Sequence, residues 1–72
     1  MNCIKKYRIL AGLQQSELGK EMGLTQGAIS HWELGARQPS ISACRQILAI
    51  IRAHGVDCSL DDMFPAEEEI AA

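Results

Sequence analysis

No apolar run in this chain approaches the ~20 residues that a bilayer-crossing helix requires. Nor are the charges of "MNCIKKYRIL" followed by the apolar stretch and small-residue cleavage site of a secretory signal. A cytoplasmic location and no membrane partner are expected. Cysteine is sparse and unmatched. Cys3, Cys44 and Cys58 are odd in number and far apart, with no Cys-x-x-Cys and no histidine pair beside them, so neither a disulfide framework nor a zinc site is expected. His31 and His54 stand alone, without a Ser, Cys or carboxylate constellation around them. The expectation is a non-enzyme with no metal, no cofactor and no small-molecule ligand. Alternating strand patterns, repeats and low-complexity linkers are missing too, which leaves an all-α fold.

What is present suits one small domain. Hydrophobic residues make up 47% of 72 positions, enough for a single core, in a size range where only about 60% of the unfolded surface is buried. The net charge of −2 taken alone opposes a polyanionic partner. Its distribution reverses that reading. Residues 1–54 hold all seven Lys and Arg against Glu17, Glu21 and Glu33, a balance of +4. Residues 55–72 hold Asp57, Asp61, Asp62, Glu67, Glu68 and Glu69 with no base, a balance of −6. A helical domain over 1–65 is expected to be followed by an acidic tail over 66–72, "AEEEIAA", too poor in apolar residues to order by itself.

Five helices are predicted. The first spans about 2–11, with Ile4, Tyr7, Arg8 and Ala11 on one face, Gly12 as its stop, and Leu13 dropping into the core. A second, over about 15–22, places Leu18 and Met22 four apart and ends at Gly23, after which Leu24 is expected to turn inward. Thr25 caps the third and Gly35 ends it. Ser40 caps the fourth, whose stripe is Ile41, Cys44, Ile47, Leu48 and Ile51 and whose stop is Gly55. "SLDD" starts a short fifth helix carrying Leu60, Met63 and Phe64, closed by Pro65.

The third helix, within "LTQGAISHWELG", is the informative one. At ~100° per residue from Gln26, the residues Gln26, Ser30, Leu34, Gly27 and His31 fall between about 0° and 140°, while Ile29, Trp32 and Glu33 fall between about 240° and 340°. One side is apolar apart from Glu33. The other carries groups able to meet base edges: glutamine can bond adenine N6 and N7 together, and serine and histidine can reach bases or phosphates. Two short helices joined by a tight glycine-containing turn, here "EMGLT", form a helix-turn-helix whose second helix can enter the major groove. Gly19 fits a close crossing, with Leu18, Met22, Leu24, Ile29 and Trp32 filling the angle.

The stretch "GLQQSELGKEMGLTQGAISHWELGARQPS" resembles the Cro and repressor type helix-turn-helix domains of lambdoid phages and related bacterial regulators, and the resemblance runs from about Ile4 to Phe64. It implies a five-helix bundle that binds double-stranded operator DNA as a symmetric homodimer, formed in solution or only on DNA. Base contacts are implied for Gln26, Gly27, Ser30 and His31, and phosphate contacts for Gln15, Thr25, Ala28, Arg37 and Gln38. The family commonly ties a first-helix arginine to a glutamate of the third helix, here Arg8 and Glu33. Three positions depart from the family pattern, one being Leu34, which lies within the polar arc and either touches a thymine methyl or covers the helix end. Gly27 stands where a base-reading side chain is frequent, and Gln14 where Ser or Thr usually caps the second helix.

A Cro-like repressor on a palindromic operator is therefore expected. The other uses of such a domain are a restriction-modification controller, an antitoxin that represses its own operon, or a protein-interaction module that binds no DNA. Ile50, Leu60, Met63, Phe64 and Ile70 form either a dimerisation patch or a slightly wide core face.

Overall fold

The computed structural model describes residues 2–65. Within them the chain forms α1 (Ile4–Leu10), α2 (Gln15–Glu21), α3 (Gln26–Leu34), α4 (Ile41–Ala53) and α5 (Leu60–Met63), with no strand. The acidic tail and Ile70 lie outside the described residues. Ile4, Leu13, Leu18, Ile29, Ile47, Ile51, Cys58 and Met63 make the core, so every helix contributes to one apolar centre. Burial pushes the thiols of Cys44 and Cys58 above their ordinary range, which suits packing groups rather than reactive ones.

The α2–α3 corner is the most extensive helix contact in the fold. It depends on Gly19, where a Cβ would lie 3.0 Å from the carbonyl oxygens of both Leu24 and Thr25. The backbone of the turn therefore rests directly on α2, and Leu24 N–H donates to the Gly19 carbonyl at 2.7 Å. This corrects one expectation: Leu24 is 42% exposed, because the turn's backbone occupies the space its side chain was assigned. Ile41, expected in the α4 stripe, is likewise exposed at the helix start.

Caps fix the ends. Thr25 Oγ1 accepts from Ala28 N–H at 3.3 Å and Ser40 Oγ from Ala43 N–H at 3.1 Å. Gly35, at φ 78°, closes α3 in the left-handed conformation that an L side chain resists. At α2, where Gln14 replaces the usual hydroxyl, Glu17 reaches back to accept Gln14 N–H at 2.8 Å. Ser59 and Asp62 bond each other's N–H groups at the start of α5.

Three connections are not apparent from residue patterns. Asn2 Oδ1 accepts from Ile4 N–H at 3.1 Å, while its Nδ2 donates to the Trp32 carbonyl at 2.9 Å, joining the start of α1 to α3. Cys3 N–H donates to the Met63 carbonyl at 2.7 Å, joining the same segment to α5. His54 Nε2 lies 2.9 Å from Glu21 Oε2 and links the ends of α4 and α2. Asn2 and His54 carry no period or cap signature that reveals such partners.

Candidate nucleic-acid interface

The outward side of α3 follows from its helical register. Ile29 is fully buried and Trp32 packs half-buried against the core, which turns Gln26, Gly27 and His31 to solvent and leaves Ser30 half-buried between the two sides. The first turn of α3 carries no acid, so no carboxylate opposes the partial positive charge of that helix end. Leu24, Thr25, Gly27, Ala28, His31, Trp32 and Arg37 line an open cleft of about 420 Å³ beside it. Arg37 comes from the loop after α3, so the cleft joins that loop to the exposed face.

Of the residues expected to touch phosphate, Arg37 and Gln38 are exposed in the α3–α4 loop. Thr25 is exposed, and its oxygen serves the cap. Ala28 offers little. Its backbone N–H is taken by Thr25 and its side chain is a methyl group. Gln15 is half-buried and already bonded: its Nε2 donates to Glu33 Oε1 at 3.0 Å, and its Oε1 accepts from Gln26 Nε2 at 3.3 Å. Gly27 has open space about it, a Cβ there meeting only Thr25 Oγ1 at 3.7 Å, so backbone rather than side chain is presented.

Behind this face lies an ion pair. Arg8 Nε donates to Glu33 Oε2 at 2.6 Å and Nη2 to Oε1 at 3.2 Å, with side chains 10% and 4% exposed. Arg8 Nη1 also donates to the Leu13 carbonyl at 2.9 Å. The pair joins α1 to α3 and the loop before α2 at once.

The expected dimer patch is not assembled in this way. Met63 is fully buried, because α5 is a single turn whose one inward position it occupies. Ile50 and Phe64 pack half-buried against the core, and Leu60 is 37% exposed. Among the described residues the most exposed large apolar side chains are Leu34 and Ile41, which flank the α3–α4 loop. Among the described residues no group of His, Cys, Asp and Glu is arranged to hold a metal, and no helix is long and apolar enough to cross a membrane.

A capped helix crossing a second at a glycine-tight turn, with its polar side outward beside a loop arginine, defines the helix-turn-helix class of DNA-binding domain. The family model described as helix-turn-helix matches residues 4–56, and the chain belongs to that family in its Cro and XRE form, a family of DNA-binding transcription regulators. No curated protein and no solved structure matches the chain.

Proposed function

We propose that the protein is a Cro-like repressor that binds a palindromic operator as a homodimer, each copy laying α3 in one major groove. The observation that carries this reading is the exposure of Gln26, Gly27 and His31 along one side of α3, with Arg37 at the edge of the same cleft. Gln26 and His31 meet base edges, Ser30 contributes at the margin, and Gly27 lets the backbone approach the groove. Arg37 and Gln38, with Thr25 and the second N–H of Gln15, face the phosphates. A nine-residue helix reads too few base pairs for a specific site, so two copies on half-sites about 34 Å apart supply the rest.

Selection of bound duplexes from a random pool tests this. A two-fold motif with half-sites one helical turn apart is expected. Gln26→Ala should relax one base position per half-site at ~1–3 kcal/mol, whereas Arg37→Ala should weaken all sequences alike and lower the salt slope. No enriched motif, or one half-site filled by one chain, overturns the reading.

A further inference from the structure

The Glu33 side chain is 4% exposed and stands two turns along α3 from Gln26, about 20° away in helical projection, below the exposed surface. It begins a chain of hydrogen bonds that ends on exposed Gln26. Its carboxylate accepts from Arg8 through Nε and Nη2, and from Gln15 Nε2 at 3.0 Å; Gln15 Oε1 then accepts from Gln26 Nε2 at 3.3 Å. Arg8 is held in place by its further bond to the Leu13 carbonyl.

Each link has one permitted sense. A guanidinium only donates and a carboxylate only accepts, so Glu33 can meet Gln15 only at the amide N–H end. Gln15 must then present its oxygen outward, and Gln26 must bring Nε2 to it. One N–H and Oε1 are left free on Gln26. In the major groove adenine offers the N7 acceptor and the N6 donor, whereas guanine offers two acceptors, N7 and O6. The free groups of Gln26 match adenine at both points, and against guanine they set oxygen against oxygen. An unrestrained glutamine escapes that conflict by rotating its amide.

We infer that Glu33 is a positioning residue for base readout: through Gln15 it fixes the amide sense of Gln26 and so selects adenine over guanine at the base pair Gln26 meets. This rests on the reading of α3 as the base-contacting helix. The chain also dictates what reversal looks like. In Glu33→Gln, Arg8 Nε keeps the remaining oxygen, because it can only donate, Arg8 Nη2 loses the acceptor it shared with Gln15, and the new N–H faces Gln15. Gln15 then turns its oxygen inward and its N–H outward, Gln26 answers with oxygen, and both Gln26 N–H groups are freed for the two acceptors of guanine.

The test uses the full chain and duplexes differing only at the pair whose preference Gln26→Ala relaxes. Wild type should favour adenine over guanine there by about tenfold or more. Gln15→Met, which cannot relay, should level the ratio, and Glu33→Gln should level or invert it, with preferences at other positions unchanged. A ratio is insensitive to uniform losses from a missing phosphate contact or lower stability. If Glu33→Gln does not fold, side-chain amide relaxation of ¹⁵N-labelled wild type decides. Gln15 and Gln26 should be ordered relative to Gln14, Gln38 and Gln46, and Gln26 should become mobile in Gln15→Met. If Gln26→Ala relaxes no position, α3 is not the reader. If it relaxes one where wild type prefers guanine, where both variants keep the adenine preference, or where the Gln15 amide is mobile, the positioning role of Glu33 is overturned.

Discussion

Arg8 is the side chain the fold can least spare. Its removal leaves a carboxylate that is 4% exposed without a counter-charge and the Leu13 carbonyl without its donor. Breaking such a pair from one side costs about 3–5 kcal/mol, against a total stability of roughly 5–15 kcal/mol for a domain and towards the lower end for one this small. Arg8→Ala should therefore be largely unfolded under conditions where Lys5→Ala, which loses an exposed charge, melts within a few degrees of wild type. Equal urea midpoints for the two variants would contradict this. The pair was readable from family resemblance. The bond from Gln15 to Glu33 was not, because a glutamine takes whatever partner the tertiary structure brings, and spacing along the chain says nothing about which.

At the level of elements, two glycines that look alike in sequence have opposite meanings. Gly19→Ala pushes a Cβ to 3.0 Å from two backbone carbonyls that cannot swing aside, so the α2–α3 corner must open. The expected loss is about 1–3 kcal/mol, more than alanine's helix preference of ~1 kcal/mol returns. Gly27→Ala meets only Thr25 Oγ1 at 3.7 Å and should leave the fold equal or slightly firmer while altering DNA binding. Thermal melts of both variants separate the two. The start of α5 behaves differently again. Hydrogen bonds from Ser59 hold the Asp62 carboxyl below its ordinary value of 3.8. Its ionised form therefore favours the folded cap, a contribution complete above the unfolded value and lost as pH falls through 3.8 and the lower folded value. Asp62→Asn should reduce stability at pH 7 and narrow the gap to wild type near pH 3, as followed by denaturation at each pH. Helix positions and caps were legible because the period and the stop glycines agree. Leu24 and Ile41 were misplaced because side chains at helix ends are positioned by backbone packing, which periodicity does not describe.

For the molecule as a whole, the net charge of −2 must be reconciled with a polyanionic ligand. Exposed charges are screened beyond ~10 Å at 0.1 M salt, so the acids near the C-terminus weaken attraction chiefly at low ionic strength. Truncation after Pro65 removes Glu67, Glu68 and Glu69. It should tighten binding to specific and random duplexes alike, with a gain that shrinks as salt rises. Weaker binding of the truncated chain at every salt concentration would assign those residues to contact between copies instead. The patch proposed to pair two copies was the least legible part of the sequence. Met63 has the composition of an interface residue and the position of a core one, and only the packing of α5 distinguishes them.

The short segment before α1 also governs the order in which the structure can assemble. Asn2 bonds the carbonyl of Trp32, 30 residues on, and Cys3 bonds the carbonyl of Met63, so the second bond closes across nearly the whole described chain. Closure over that separation carries a large loop entropy and becomes possible on the ribosome only after α5 has emerged. The α2–α3 corner, built from neighbours in sequence, has no such delay. Both bonds are therefore expected to form late, after the folding transition state. Asn2→Ala should accelerate unfolding in stopped-flow measurements and leave the refolding rate almost unchanged.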